Sequence, residues 1–200
     1  MSRSSGPLTI SKSINFWESI WAEQGTKVPW ARFSPEPLLV EYADQTKIRK
    51  ALDIGCGHGI DASYLCSIGV QVDAIDISPT AIELARKVDK NTNYILNDFI
   101  NHEFTNKYDF IYDRGYLGSC ANKESCVKKV KLLLEENGKW LTLIGRKDGN
   151  VSGPSRYTLT ETLSWVEQDF NIIEVTASVT LNNSNSEKIS LWKTLLEKKK

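Results

Sequence analysis

The segment Asp53-Ile54-Gly55-Cys56-Gly57-His58-Gly59 constrains this chain more than any other stretch. It closes a short apolar run, Lys50–Ile54, that reads as a buried strand. Ile60, Tyr64, Leu65 and Ile68 then recur at helical spacing, with Gly69 as a stop. Glycines between a strand and a helix permit a tight turn and let a ligand approach the backbone at the helix N-terminus. The spacing is Gly-x-Gly-x-Gly, whereas a dinucleotide fingerprint needs its third glycine one residue later, where Ile60 stands. No Gly-Lys-Ser/Thr follows, which excludes a phosphate-binding P-loop.

The rest of the chain continues the alternation. Val70–Ile77 reads as a second strand, and Ser78-Pro79 caps and opens a helix through Ile82, Ala85 and Val88. Tyr94–Leu96 and Tyr108–Tyr112 are the third and fourth strands. Asn122 caps a predicted helix carrying Cys126, Val127, Val130, Leu133 and Leu134 and stopped at Gly138; Lys139–Ile144 is the fifth strand. Thr158-x-x-Glu161 fits a capping box before a helix through Leu163, Val166 and Phe170. Asn171–Leu181 and Lys188–Leu196 are β-prone and joined by the polar stretch Asn182–Ser186, which predicts an antiparallel hairpin. The expected fold is α/β: a Rossmann-like three-layer sandwich with a mostly parallel seven-stranded sheet and a C-terminal antiparallel hairpin. Residues 1–48, with Trp17, Trp21 and Trp30, are expected to form an N-terminal extension packed on the sheet top, and residues 49–200 the main domain.

Further features point to what the glycine turn binds. Asp53 puts an acid beside the turn, suited to the cationic end of a ligand such as the methionine amino group of S-adenosylmethionine. Asp76-Ile77 ends the second strand about 20 residues after the glycines, where a carboxylate can accept hydrogen bonds from both hydroxyls of a ribose. Asn97-Asp98-Phe99 ends the third strand and suits the edge and face of an adenine. All of these lie at strand C-termini, where open α/β sheets bind ligands. Each has a plainer alternative, a simple loop or a helix cap, but their order on successive elements favours S-adenosyl-L-methionine, with S-adenosyl-L-homocysteine as product.

The stretch ALDIGCGHGIDASYLCSIGVQVDAIDIS resembles the cofactor motif of class I S-adenosylmethionine-dependent methyltransferases, a resemblance spanning residues 50–145. A narrower one, to the thiopurine and thiol/halide methyltransferases, rests on Phe16-Trp17-x-x-x-Trp21-x-x-x-Gly25, Pro29-Trp30, and Tyr108–Gly115 with its Asp113-Arg114-Gly115. Gly153-Pro154 before Tyr157 is similar to that group's Gly-Pro-Pro-aromatic loop, with Ser155 and Arg156 departing from it. Tellurite-resistance methyltransferases share much of the pattern. The resemblance implies that Trp17, Trp21 and Trp30 fold over the cofactor as a lid; a buried helical face made of Ile14, Trp17 and Trp21 is the alternative.

Asp113 is the candidate for substrate orientation or proton acceptance and a further candidate cofactor contact, against a structural hydrogen bond or ion pair. Arg32, Arg114, Tyr116 and Tyr157 are candidate substrate-pocket residues. His58 is expected as a loop side chain and Cys120 as a passive thiol. The two histidines and four cysteines lack metal-ligand spacing, so no metal is expected.

These features predict methyl transfer to a small molecule, with sulfur or another soft nucleophile favoured because a thiolate needs little help from a base. A small-metabolite O- or N-methyltransferase, or a tellurite-resistance-like methyltransferase, is the alternative. Twenty-five basic residues balance 25 acidic ones, and no basic domain is appended, which argues against a nucleic-acid partner. No apolar stretch suits a membrane span or a secretory signal, so a cytoplasmic protein, monomeric at this size, is expected.

Overall fold

A computed structural model describes residues 10–147, 156–181 and 188–199. Seven strands form one sheet: β1 (Lys50–Ile54), β2 (Gln71–Asp76), β3 (Asn93–Leu96), β4 (Tyr108–Arg114), β5 (Leu134–Gly145), β6 (Phe170–Leu181) and β7 (Lys188–Lys198). Their spatial order is β3-β2-β1-β4-β5-β7-β6. The first five strands pair in parallel, and β7 runs antiparallel to both neighbours. The order reverses at β1, with β2 on one side and β4 on the other, which places a crevice over the C-terminal ends of those strands. The polar stretch 182–186 and the loop at Gly153-Pro154 lie outside the described residues.

Side chains alternate across the sheet and so feed two cores. On one face, Leu52, Ile54, Ile111, Trp140 and Ile144 pack with Leu117 of α5 (Tyr116–Ser119), Val127 and Val130 of α6 (Lys123–Leu133), and Val166 of α7 (Leu159–Val166). On the other, Ala51, Val72, Phe110, Leu141 and Leu143 pack with Leu39 of α2 (Pro37–Gln45), Leu65 of α3 (Ile60–Ser67), and Ile82 and Ala85 of α4 (Pro79–Val88). These are the three layers expected from the strand–helix alternation.

The predicted caps form. Ser78 Oγ accepts from Ala81 N–H, Asn122 Oδ1 from Ser125 N–H, and Thr158 and Glu161 make a reciprocal capping box. Two boundaries differ from expectation. The helix carrying Val130 ends at Leu133, because Leu134 already pairs with Tyr108 in the sheet; a bulge and Asn137 in the left-handed region (φ 63°) follow. Phe170 opens β6 instead of ending α7, and is buried against Trp140. Helix α2 was not anticipated, although Pro37 at its first turn is a start signal.

Before β1, α1 (Ile10–Gln24) packs along α4. The fastening is Glu18, which accepts from Ser78 Oγ at 2.6 Å and from both Thr80 N–H and Thr80 Oγ at α4's first turn. Burial pushes the Glu18 carboxyl up, but these hydrogen bonds outweigh it and hold it below its usual value. No helix among the described residues is long and apolar enough to cross a membrane.

Gly59 tests how tightly the turn is locked to the sheet. Its φ is +80°, and a Cβ there would meet the Tyr94 hydroxyl at 2.6 Å and the Ala85 Cβ at 2.8 Å. Gly59→Ala therefore combines left-handed strain with overpacking, and urea denaturation is expected to show a loss of about 2–4 kcal/mol. A loss below 0.5 kcal/mol, inside the ordinary range for surface changes, would mean the turn relaxes freely.

Candidate active site

A cavity of about 440 Å³ runs along the C-terminal edge of the sheet, from the ends of β2 and β3 across β1 and β4 to the end of β5 and the start of β7. At about 4.8 Å per strand, the ends of β2 and β5 stand about 14 Å apart. The cavity is therefore long, with chemically different ends.

At one end the glycine turn forms the floor. Gly55, Gly57 and Gly59 all have positive φ (70°, 54° and 80°), a conformation that strains any side chain bearing a Cβ. Gly55 and Cys56 donate their N–H groups to Ile75 O, and Gly57 N–H donates to Asp76 Oδ2 at 2.9 Å. Asp76 Oδ1 accepts from Ser78 N–H, so the carboxylate joins the exits of β1 and β2. Burial raises its pKa, and the N–H donors of Ser78 and Gly57 partly offset that. Asp76, Ile77, Asn97, Asp98 and Phe99 all line the cavity. Phe99 is buried edge-on to Tyr116, with ring centroids 5.5 Å apart.

Asp53 also faces this end, 3% exposed, and no hydrogen bond from the described residues reaches its carboxylate. Burial raises its pKa well above the usual carboxylate value, and the neighbouring Asp61 charge raises it further. A buried, unpartnered acid at a cavity wall calls for a cationic hydrogen-bond donor.

The tryptophans close over the turn. Trp21 is buried with its indole against Gly57, where a Cβ would lie 2.9 Å from Trp21 Cζ2. Trp17 meets Trp30 edge-to-face at 5.8 Å, and all three line the cavity. His58 lies against Trp21, and its Nε2 is 2.7 Å from Arg32 O, so that nitrogen donates to the carbonyl. Burial lowers its pKa and favours the neutral ring.

Asp61, in α3's first turn, ties the lid to the sheet and was not singled out from sequence. It accepts from Glu36 N–H at 2.8 Å, Tyr112 Oη at 3.0 Å and Arg114 Nε at 3.4 Å, while Arg114 Nη1 donates to Trp30 O at 3.0 Å. Burial lowers the Arg114 pKa, but Asp61 outweighs it and leaves it raised. An acid two residues after the last glycine was the available signal.

Three candidates turn away from the cavity. Asp113 has no exposed surface: its carboxylate accepts from Leu117 N–H at 3.0 Å and Trp140 Nε1–H at 2.9 Å, facing the core under α5. Strand alternation sends Arg114 toward the cavity and its neighbour inward. Arg32 is buried against β6, donating to Thr180 Oγ at 2.7 Å and to Leu181 O, with Glu36 at 3.8 Å. Tyr157 donates to Gly118 O and packs on Trp165, making it a brace behind the pocket wall. Gly59 likewise lies beneath the floor. Arg114 and Tyr116 do line the cavity.

Cys120, Asn122, Ser125, Arg146 and Arg156 form the other end; from sequence, Cys120 was expected as a passive thiol and Asn122 as a helix cap. Cys120 is held down to about 7, first by a hydrogen bond from Cys126.

A family model described as a methyltransferase domain matches residues 52–142. A probable thiol methyltransferase 2 from Arabidopsis thaliana is 29% identical over 74% of this chain and 69% of its own length. A ubiquinone biosynthesis O-methyltransferase from Proteus mirabilis (strain HI4320) is 29% identical over 62% of this chain, which spans 56% of that relative. The structure of the N-methyltransferase NodS from Bradyrhizobium japonicum WM9, in complex with S-adenosyl-L-homocysteine, superposes with a TM-score of 0.71 at 17% identity, covering 93% of this chain and 100% of that one. With the sheet order, the glycine turn and the acids at the ends of β1 and β2, these findings make the chain similar to class I S-adenosylmethionine-dependent methyltransferases over that domain.

Two measurements test the acids. Burial pushes Asp113 up to about 6, despite the hydrogen bonds it accepts from Leu117 N–H and Trp140 Nε1–H, which lower it. The folded state therefore holds this proton more tightly than the unfolded chain does. Its contribution to stability is fully present below the unfolded value and lost as pH rises through about 6. Urea melts across that window should show this decline, and Asp113→Asn should flatten it; an unchanged slope would place the titration elsewhere. For Asp53, a bound cation favours the ionised form, so S-adenosylmethionine affinity should strengthen as pH rises above the ordinary carboxylate range. Calorimetric titration of Asp53→Asn should show weaker binding with that pH dependence lost, and equal binding by wild type and variant would remove Asp53 from the site.

Proposed function

We propose that the protein methylates a small molecule at a soft nucleophilic atom, a thiol or a related sulfur or halide-like anion. Asp53 and the glycine turn would hold the amino-acid end of S-adenosylmethionine, Asp76 its ribose, and Asn97 to Phe99 its adenine. The lining fits such a ligand, because Gly55 and Gly57 present bare backbone to the cavity and the buried Asp53 carboxylate faces it beside them. When bound, the cofactor supplies an electrophilic methyl on a sulfonium: the nucleophile's lone pair forms the new bond as the methyl–sulfonium bond breaks, and its electron pair stays on the departing sulfur.

The observation that carries the choice of nucleophile is the makeup of the cavity beyond β4. Among the described residues lining it there, none is a carboxylate or an imidazole, and the Cys120 thiol is the one side chain whose pKa lies near neutrality. Asp113 faces the core, and His58 sits at the opposite end beneath Trp21. Burial raises Tyr112 and Tyr116 well above their usual pKa, so neither takes up a proton as a phenolate near neutrality. An alcohol or amine needs a base to remove its proton, whereas a thiolate or soft anion arrives ready to react. The chain's contribution is then alignment and exclusion of water by the lid. The Arabidopsis relative's description as a probable thiol methyltransferase agrees with this reading.

The similarity to an O-methyltransferase from Proteus mirabilis keeps oxygen acceptors as the second reading. A panel of small thiols, hydrosulfide, iodide, phenols and amines, assayed for transfer of labelled methyl, decides between them. Thiols or soft anions should give kcat/KM at least tenfold above phenols and amines; a preferred phenol or amine would overturn the proposal.

A further inference from the structure

Two of the four cysteines meet where α5 passes into α6, on the wall of the cavity beyond β4. Cys120 follows the last residue of α5, and its N–H donates to Tyr116 O at 2.8 Å. Cys126 lies in the first turn of α6 and has no exposed surface. The Asn122 carbonyl draws the two together: it accepts from Cys120 Sγ at 3.3 Å and from Cys126 N–H at 3.1 Å. Asn122 Oδ1 meanwhile caps α6 through Ser125 N–H, which fixes the short loop between the sulfurs. The two thiols are hydrogen-bonded to each other, Cys126 donating and Cys120 accepting.

Their surroundings differ. Cys120 is half-buried and lines the cavity, whereas Cys126 sits in the core with Leu117, Val127 and Val130. The hydrogen bond from Cys126 outweighs burial and holds Cys120 down to about 7, helped by a backbone hydrogen bond at Asn122, the Lys123 charge and the Tyr116 hydroxyl. Lys123 is fixed there: Nζ donates to Gly118 O at 2.9 Å and to Cys120 O, and lies 5.1 Å from the centre of the Trp165 ring. Burial pushes the Cys126 thiol well up, and its bond to Cys120 and the Asp113 charge raise it further. One sulfur is thus a thiolate open to the cavity, and the other a thiol held against it. Cys56, also on the cavity wall, stays protonated, because burial and the Asp76 charge push it well up.

We propose that Cys120 and Cys126 form an oxidation site, at which a small peroxide converts the pair to a disulfide and remodels the end of the cavity beyond β4. The Cys120 thiolate attacks one peroxide oxygen, the O–O bond breaks, and the departing oxygen leaves as water or an alcohol once protonated. Cys120 is then a sulfenic acid. The Cys126 sulfur attacks it, the S–O bond breaks, and hydroxide leaves with the Cys126 proton as water. Two thiols have lost two electrons, and the peroxide has gained them. The bond takes the Cys120 sulfur from the Asn122 carbonyl toward the core. Gly118, Ser119, Ala121, Asn122 and Ser125 line the cavity on either side of it, so their wall moves with it. The glycine turn and Asp76, at the opposite end, keep their own hydrogen bonds. A dithiol reductant restores both thiols by exchange and ends as the disulfide itself. None of this depends on which acceptor the chain methylates.

The test exposes the full chain to hydrogen peroxide, blocks the remaining thiols by alkylation, and digests it with trypsin without reduction. Trypsin cuts after Arg114, Lys123 and Lys128, so Cys120 and Cys126 fall in separate peptides, 115–123 and 124–128. Mass spectrometry should find these two linked, and dithiothreitol should separate them. Hydrogen exchange of the linked chain should change across 115–126 and stay unchanged across 53–59, and S-adenosylhomocysteine should bind as tightly as before. Cys120→Ser should give no link, while Cys126→Ser should stop at a sulfenic acid on Cys120 that dimedone captures. Where Cys126→Ser does not fold, a brief peroxide pulse to wild type with dimedone present should label Cys120 and not Cys126. No linked pair in wild type, or a link made instead through Cys56 or Cys66, overturns the site. Label on Cys126 overturns the assignment of roles, and a link that leaves exchange across 115–126 unchanged, or abolishes S-adenosylhomocysteine binding, overturns the remodelling.

Discussion

Asp61 sits where four parts of the chain meet. Its carboxylate takes the Glu36 N–H ahead of α2, the Tyr112 hydroxyl and Arg114 Nε from β4, and is carried on α3's first turn; Arg114 passes the connection on to the Trp30 carbonyl. Both charges are largely withdrawn from water, with side-chain exposures of 9% for Asp61 and 18% for Arg114. Desolvating such a pair is expensive, and removing one member leaves the other unmatched, which is worse than never having buried the pair. The interaction is better understood as a fixed joint than as a source of net stability. It holds the Pro29-Trp30 segment at one height above the sheet, and so sets the roof of the cavity whose floor is the glycine turn.

That joint also divides the cavity electrostatically. On its β1–β2 side stand Asp53 and Asp76, both pushed up by burial and poised to be matched by a ligand's positive or hydrogen-donating groups. On its β5–β7 side stand Arg146 and Arg156. Because Arg114 is committed to Asp61, it separates the two ends without adding free charge to either. A sheet whose strand order reverses at β1 makes this possible: residues distant in sequence arrive at one edge in spatial order, acids first and arginines last.

Much of this was legible in the chain. Positive φ at Gly55, Gly57 and Gly59 follows from a turn that no residue with a Cβ enters without strain, and Asp76 was placed at the end of β2 by the apolar run before it. Caps at Ser78, Asn122 and Thr158 are local hydrogen bonds between residues three apart, which is why they could be read directly. The end of α6 was misplaced by about a turn, because Leu134 is claimed by a long-range pairing with Tyr108 that outweighs local helical preference.

Side-chain direction was not legible. Asp113 and Arg114 are adjacent and equally polar, yet β4 sends one into the core to meet Trp140 and the other into the cavity. Arg32 and Tyr157 look like pocket residues in sequence, but partners 148 and 39 positions away, Thr180 and Gly118, turn them aside. Arg146 was not singled out and Arg156 was noted only as a departure from a loop pattern; the bridge between Arg146 and Tyr157 brings both segments to the cavity. The sequence by itself determined the layered sheet, the glycine turn and the acids that line the cavity beside it, since those depend on periodicity, backbone conformation and short-range spacing. Only the tertiary structure decided which polar side chains face the cavity, because that depends on strand parity and on hydrogen-bond partners supplied by distant strands.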